Sequence, residues 1–175
     1  NNYDIGDGIF AMMIDGNTRG RDRKYELTTI NEVTITPFKD FNIIGNYSYN
    51  MYTDPSYYRQ VPAKYSLYPG VIETTPKYNV NKLSESQQFN QVHVVNLYAN
   101  YFKSFSDAHN FKVLAGFNQE LNLPKKITAE RMDISSESLN DLNLATGKET
   151  VFGGSSQYAL RGILYRLNYD CKGKY

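Results

Sequence analysis

The sequence predicts an all-β fold, namely antiparallel up-and-down strands that form a segment of a large transmembrane β-barrel. Three observations predict it. Five segments alternate between apolar and polar side chains with a period of two residues. The links between these segments alternate between short and long. The chain also holds 16 Tyr and 18 Asn among 175 residues, a composition that suits aromatic strands and polar loops.

The first two predicted strands show the clearest alternation. Residues 24–36 read KYELTTINEVTIT and are rich in Thr, Val and Ile. Residues 41–53 place aromatic and aliphatic side chains on one face and amides and hydroxyls on the other. If Ile35 and Phe41 share a face, the link between them needs an odd length or a bulge. The simplest solution is a three-residue turn from Pro37 to Lys39.

The remaining three strands are predicted at about 91–103, 110–120 and 156–170. Each sets aliphatic and aromatic residues against polar ones, as where Val113 alternates with Lys112 in the fourth strand. The alternation is weaker in the third strand, whose polar side also carries rings. Together with the first two segments, these predict five consecutive strands.

The lengths of the links between the strands predict which end of the sheet faces the periplasm and which faces outward. Short links lie near 37–40, 104–109 and 171–174, whereas long links span about 54–90 and 123–155. All short turns then lie at one end of the sheet. Structureless links of this length are improbable in a compact soluble domain. They are ordinary on the outer side of an outer-membrane barrel, whose periplasmic turns are short.

The two faces differ in charge near the short turns. The 22 positions assigned to the lipid side carry no charge, although 21% of the chain is charged. These positions are Leu27, Thr29, Asn31, Val33, Ile35, Phe41, Ile43, Gly45, Tyr47, Tyr49, Val95, Leu97, Ala99, Tyr101, Phe111, Val113, Ala115, Phe117, Ile163, Tyr165, Leu167 and Tyr169. The positions predicted to face a hydrated lumen are Glu32, Asn46, Asn50, Asn96, Asn100, Asn118, Arg166 and Asn168.

A soluble β-sandwich that serves as an adhesion or carbohydrate-binding module is the main alternative, because its strands also alternate apolar with polar residues. The exposed face of a sandwich usually carries many charges, whereas Asn, Ser and Thr dominate here. A glycan-degrading enzyme domain is a third possibility, but the sequence offers no pair of carboxylates suited to acid–base work.

Composition excludes several other classes. A net charge of +1 gives no basic excess for binding nucleic acid. No apolar run approaches the length of a membrane-spanning helix. The single cysteine, Cys171, provides neither a disulfide framework nor a cysteine-based zinc site.

No catalytic, metal or cofactor motif stands out. His93 and His109 lack the partners that a metal site or a catalytic triad requires. The acidic stretch at 133–141 lacks the spacing of a calcium loop. It instead predicts a short helix capped by Ser136 or Ser138.

The first long loop concentrates aromatic rings and a guanidinium. Such groups stack on sugars or peptide side chains and are enriched at protein interfaces. They are predicted to contact a substrate or a covering partner, or alternatively to pack the loop on itself. The residues are Tyr57, Tyr58, Arg59, Tyr65, Tyr68 and Tyr78.

Several phrases carry a family resemblance. They are GNTRGRDRK at 16–24, NLYANY at 96–101, LAGFNQE at 114–120, and ALRG at 159–162 followed by YRLNYD at 165–170. In wording and order they resemble the SusC/RagA family of TonB-linked outer-membrane transporters. Members often carry an aromatic residue at the position of Cys171, in a periplasmic turn.

The resemblance implies a fold and a role. Such proteins have an N-terminal plug and a barrel of about 22 strands. They import oligosaccharides or peptides with a SusD-like surface lipoprotein and energy delivered through TonB, and they are not enzymes. Residues 1–175 would form part of one barrel domain in the outer membrane of a Bacteroidetes-type bacterium, in contact with its lipid. The plug and the other strands are absent, and both ends of the chain look cut.

Overall fold

The computed structural model of the chain describes residues 18–75, 79–105 and 108–172. Apart from one short 3-10 helix at Leu142–Leu144, the regular structure in these ranges is β-strand. The strands are β1 (Arg19–Asp22), β2 (Tyr25–Phe38), β3 (Phe41–Gln60), β4 (Lys64–Tyr68), β5 (Val71–Thr74), β6 (Lys82–Phe105), β7 (His109–Met132), β8 (Glu149–Ser155) and β9 (Tyr158–Cys171).

The main sheet follows the order of the chain. β1 and β2 both pair with β3, β3 pairs with β6, β6 with β7, and β7 with both β8 and β9. β1 and β2 therefore follow one another along the same edge position of the sheet, beside β3. β8 and β9 do the same at the opposite edge, beside β7. The prediction of five consecutive up-and-down antiparallel strands is confirmed. β4 and β5 form a separate antiparallel hairpin.

Proline in the neighbouring strand explains why each edge position of the sheet holds two short strands instead of one long strand. Pro55 lies in β3, where its carbonyl accepts a hydrogen bond from the Arg23 N–H at 3.1 Å. Pro124 lies in β7, where its carbonyl accepts from the Ser156 N–H at 3.0 Å. Because proline has no N–H to return, each ladder is interrupted opposite it. The breaks fall after Asp22 and after Ser155.

The long links are shorter than the alternation predicted. β3 continues to Gln60, β6 begins at Lys82 and β7 continues to Met132, so the predicted loops at 54–90 and 123–155 are wrong in extent. The extensions lack a contrast between apolar and polar faces, because both of their sides are largely polar. Cross-strand polar contacts hold them, such as the 2.9 Å hydrogen bond between Ser86 and Thr128.

Two local predictions need correction. The first turn comprises the two residues Lys39 and Asp40 rather than the predicted three from Pro37 to Lys39, and Asp40 has a φ of 67°. Aspartate tolerates this left-handed conformation in tight turns. The predicted helix at 133–141 is wrong, because the Ser136 hydroxyl accepts from the Leu139 N–H in a local turn. The 3-10 helix follows it and is capped by Asp141.

The contacts divide the chain into two compact units. The loop unit comprises residues up to Tyr25, Thr53–Gln88 and Lys125–Gly154. It contains the small apolar core, formed by Val61, Ala63, Leu83, Ile134 and Ala145. The turn unit comprises Glu26–Tyr52, Phe89–Pro124 and residues from Ser155 onward. Among its described residues, no apolar residue other than glycine is buried.

Candidate functional site

The two faces of the turn unit are continuous from strand to strand. In the pairing of β7 with β9, Lys112 lies opposite Asn168 and Leu114 opposite Arg166. The alternate positions pair apolar residues, as where Val113 lies opposite Leu167. Since side chains alternate across a strand, this register places the charged and amide side chains on one face, which also holds Leu114, and apolar side chains on the other.

Asparagine side chains link neighbouring strands on the polar side, which we call the amide face. Asn46 donates to the Glu32 carboxylate at 3.2 Å, and Asn50 donates to the Thr28 hydroxyl at 2.7 Å. Two further bonds join Asn100 to Asn42 at 2.9 Å and Asn118 to Asn96 at 2.6 Å. The structure therefore brings six of the eight predicted lumen residues into cross-strand hydrogen bonds. Their contact with a plug or with water stays a prediction.

Arg166 and Asn168, the other two predicted lumen residues, line a cavity of about 360 Å³ in the turn unit. Lys112 and Phe102 line the same cavity, and the Lys112 ammonium lies 5.6 Å from the centre of the Phe102 ring. That distance allows a cation–π attraction. The lining combines these two cations with the Asp40 carboxylate, aromatic rings and amides, so the cavity is largely polar and carries charges of both signs.

Aromatic rings meet across strands on the opposite, apolar face. Phe41 lies 6.5 Å from Tyr101 and Phe111 lies 4.7 Å from Tyr169, measured between ring centres. The outward side chains are nevertheless uncovered. Leu97, in a central strand, is 47% exposed, and Tyr165 is 88% exposed. Within the described ranges, no second sheet seals this face as a β-sandwich would require.

The predicted contact residues of the loop unit have different surroundings. Tyr57 packs against the core cluster around Leu83, so its ring supports the loop from within. Tyr58 is 44% exposed, and its backbone pairs with Gly20. Tyr78 lies outside the described residues. Tyr57 thus fits the alternative in which the rings pack the loop on itself. Contact of the exposed Tyr58 with a substrate or partner stays a prediction.

Arg59 is buried, and its guanidinium holds three segments together. It donates to the carbonyl of Gln60 at 2.6 Å, to that of Lys82 at 3.0 Å and to that of Ser136 at 3.1 Å. Burial lowers the pKa of Arg59, while the nearby Glu137 carboxylate opposes that shift. Arg59 therefore fixes the loop that carries Ser136. Its predicted contact with a substrate or partner stays a prediction.

Tyr65 and Tyr68 lie on the hairpin of β4 and β5. The Tyr65 hydroxyl donates to the Glu73 carboxylate at 2.8 Å, and this hydrogen bond raises the pKa of Tyr65. Tyr68 lies opposite Val71 near the tip, where it is 71% exposed. An exposed ring of this kind is available to an external molecule.

Sequence reasoning missed a second cavity, of about 490 Å³, in the loop unit. It lies on the strand extensions, which the apolar alternation did not reveal. Continuing the even-numbered positions of the amide face along β3, β6 and β7 would have pointed to it. Its lining residues are Asp22, Arg23, Lys24, Asp54, Ser56, Ser86, Gln88 and Lys126.

In the part of the chain that the structure describes, no group of three or more His, Cys, Asp or Glu side chains is arranged to hold a metal ion. No helix within those ranges has both the length and the apolar character needed to cross a membrane.

Comparison with solved structures shows the fold. No protein-family model matches the chain, and no curated protein matches it. A chain in the structure of the RagAB peptide transporter aligns over 91% of this chain, with a TM-score of 0.78 and 14% identity. The RagAB peptide importer in its open-open state gives a TM-score of 0.77 at 15% identity. This chain spans 17% of the length of either. The prediction of an open β-barrel segment is confirmed.

Proposed function

We propose that this chain forms five neighbouring strands in the wall of an outer-membrane active transporter. The uncovered apolar face would meet lipid, and the amide face would line an aqueous interior. The transporter would import glycans or peptides with a SusD-like lipoprotein over its mouth and energy delivered through TonB. The pairing of an exposed apolar face with a hydrogen-bonded amide face carries the proposal.

The charge distribution supports this orientation. A charged side chain on the lipid face of a barrel costs about 2–4 kcal/mol near the bilayer centre. The predicted lipid positions carry no charge, whereas Glu32, Lys112 and Arg166 lie on the amide face. Large exposed apolar surfaces on proteins mark a partner or a membrane. The fold likeness to chains of the RagAB peptide transporter supports the assignment to a transporter.

The wall would act by enclosure and contact, without catalytic residues. The hydrogen-bonded asparagines give a hydrated surface along which a plug or substrate could lie. The exposed Tyr58 and Tyr68, together with Tyr65, would meet the lipoprotein or the arriving substrate, while Tyr57 and the buried Arg59 would contribute from within the loop unit. We place the transporter in the outer membrane of a Bacteroidetes-type bacterium.

Site-directed spin labelling tests the orientation. The complete protein that contains this chain would carry Cys171→Ser and a single label at Leu97 or, as the matched control, at Asn96. In outer-membrane vesicles, we expect the Leu97 label to be reached by dissolved oxygen and the Asn96 label by a water-soluble nickel chelate. Equal accessibility at the two positions, or the reverse pattern, would contradict the proposal.

Transport itself needs a second measurement. Uptake of labelled glycans and peptides by intact cells should fall to background when TonB is deleted, and should fall when the SusD-like lipoprotein is deleted. Uptake that is unchanged in both strains would refute active transport, even if the strands lie in the membrane.

A further inference from the structure

Aromatic rings gather at one end of the apolar face, beside the short turns. Phe41 of β3 contacts Tyr101 of β6, with ring centres 6.5 Å apart. Phe105, also in β6, contacts Phe111 of β7 edge-on at 6.0 Å. Phe111 in turn lies 4.7 Å from Tyr169 of β9. These five rings lie on four neighbouring strands, and we call them the ring band.

Lys103 brings a cation into the ring band. It lies in β6 between Tyr101 and Phe105, and because side chains alternate along a strand, all three share the apolar face. Lys103 is partly exposed, and no hydrogen bond or ion pair with another described residue engages its ammonium. The stem of a lysine can lie along apolar surface while its charged end reaches outward. The ammonium is therefore available to an external anion.

The carboxylates of the turn unit lie on the amide face instead. Asp40 lines the cavity of that face, and Asp170 accepts a hydrogen bond from Asn110 at 3.1 Å. Among the described residues, every carboxylate of the turn unit stands at an even-numbered position, namely Glu26, Glu32, Asp40, Glu120 and Asp170. Lys103 therefore has no carboxylate beside it on the apolar face within the described ranges.

The apolar stretch of β6 between His93 and Lys103 has the length of a membrane crossing. Its odd-numbered positions are Val95, Leu97, Ala99 and Tyr101. Ten residues of strand extend about 33 Å, and a tilt of roughly 40° reduces this to about 25 Å along the membrane normal. The apolar band of an outer-membrane barrel is also about 25 Å tall, with aromatic rings at both interfaces. Lys103 would then lie at the depth of the lipid headgroups, and His93, which bonds to Tyr47 at 2.9 Å, at the opposite interface.

We propose that Lys103 and the ring band bind the headgroup phosphate of an anionic phospholipid, in the leaflet beside the short turns. The Lys103 ammonium would bind the phosphate. Tyr101, Phe105 and Phe111 would contact the glycerol and the upper part of the acyl chains. The inference rests on the proposed function, because it needs the apolar face to lie in a membrane, and it specifies which lipid that face selects.

Charge complementarity favours an anionic headgroup over a zwitterionic one. A phosphatidylethanolamine headgroup carries an ammonium beside its phosphate, and the apolar face of the turn unit offers that ammonium no carboxylate among the described residues. A phosphatidylglycerol headgroup carries the phosphate alone, so Lys103 compensates its whole charge. A soluble phosphate compound would leave the exposed rings of Tyr101 and Phe105 uncovered. An anionic lipid fits both the cation and the rings.

Native mass spectrometry of the complete purified protein, after its lipids are removed by detergent exchange, tests the proposal. The probes are dioleoyl phosphatidylglycerol and dioleoyl phosphatidylethanolamine at equal concentration. We expect phosphatidylglycerol to be the first bound lipid about fivefold more often, which is the size of the attraction between one lysine and an anionic lipid surface. Lys103→Gln should abolish that preference. Lys103→Arg should keep it, because the charge is retained.

Lys112→Gln is the matched control for position. Lys112 lies near the same turns on the neighbouring strand β7, but on the amide face, where its ammonium contacts the Phe102 ring. This variant should change the lipid preference less than twofold. Heat-modifiable migration in gels would verify that each variant is folded. Glycerophosphoglycerol, the same headgroup without acyl chains, should not displace the bound lipid at equal concentration.

The possible failures are distinguishable. Equal binding of the two lipids, or an equal effect of Lys103→Gln and of either control variant, would overturn the lipid site. Displacement by glycerophosphoglycerol would also overturn it, in favour of a site for soluble phosphate compounds. None of these results affects the oxygen accessibility of the Leu97 label or TonB-dependent uptake. Loss of those two readouts would instead overturn the proposed function.

Discussion

At the residue scale, Gly116 shows how closely the strands of the turn unit approach one another. A Cβ atom at this position would lie 2.9 Å from the Leu164 side chain on β9 and 2.9 Å from the Tyr98 ring on β6. Both contacts are closer than side-chain carbons tolerate, so glycine is required here for packing rather than for backbone conformation. The ring of Tyr98 and the branched carbon of Leu164 occupy the space instead.

We therefore expect Gly116→Ala to destabilise the protein by about 1–3 kcal/mol, the usual cost of overpacking. Gly162→Ala is the control, because nothing lies within 4 Å of a Cβ at that position, although Gly162 pairs with Asn118 in the same two strands. Thermal unfolding of the complete protein in detergent measures both. A similar loss in the two variants would show that contact with Leu164 and Tyr98 is not its cause.

Arg59 gives a second prediction at this scale. Arg59→Met would leave the partly buried carbonyls of Gln60, Lys82 and Ser136 without their donor, at a cost of about 1–3 kcal/mol for each acceptor that finds no substitute. We expect subtilisin to cleave the 133–148 segment at least tenfold faster in this variant. Arg19→Met, which removes only an exposed bond to Ser138, should change the rate little. Equal cleavage rates in the two variants would refute the conclusion that Arg59 fixes the loop that carries Ser136.

The hydrogen bond from Tyr65 to Glu73 predicts a pH effect on the hairpin. The bond requires the protonated phenol, so it raises the pKa of Tyr65 above its ordinary value of about 10. The hairpin contact should persist below that pH and be lost as pH rises through the shifted value. Glu73→Gln should move the Tyr65 titration back toward 10, as followed by NMR of ring-labelled tyrosine assigned with Tyr65→Phe. An unmoved titration would exclude Glu73 as the cause.

At the element scale, the parts of each strand differ in how far sequence predicts them. The parts of the strands beside the short turns could be predicted because apolar side chains alternate there with amide and hydroxyl side chains. The extensions of β3, β6 and β7 were not predicted, because both faces of these parts are largely polar. Backbone ladders and pairs such as Lys82 with Glu130, at 3.1 Å, continue them nevertheless.

The candidate site, like the strands, could be predicted only in part from the sequence. The asparagines of the amide face were identified by alternation alone, and the structure brings them together. The burial of Arg59 was not foreseen, because Ser136, which covers it, lies far along the chain and local pattern carries no such information. The loop-unit cavity was missed because the strand extensions that line it show no apolar alternation.

If the apolar face of β6 meets lipid, a charge on that face should impair assembly, whereas a charge on the amide face should be tolerated. Leu97→Arg would place a charge on the apolar face, at a cost of about 2–4 kcal/mol if that face lies near the bilayer centre. We expect the variant to accumulate poorly in the outer membrane and to lose heat-modifiable migration in gels. Asn96→Arg, one residue away on the amide face, should assemble despite losing the bond to Asn118. Better assembly of Leu97→Arg than of Asn96→Arg would reverse the assignment of the faces.

At the scale of the whole molecule, the sheet is open on both sides. The outer edges of β1 with β2 and of β8 with β9 have no strand beside them in the described ranges, and β9 alone exposes Ile163, Tyr165 and Leu167 by 66–88%. Unpaired edges next to exposed apolar surface are templates for association. A wall of five strands cannot close, since the smallest membrane barrels have eight.

We therefore expect residues 1–175, expressed alone, to aggregate in buffer, and detergent to disperse the chain without yielding heat-resistant, closed-barrel migration. The complete protein, handled identically in detergent, should give that migration because additional strands cover both edges. Size-exclusion chromatography with light scattering distinguishes the states. A monodisperse, soluble monomer of residues 1–175 would require the apolar face to be covered within the chain itself. It would then favour the soluble adhesion or carbohydrate-binding module over the transporter wall.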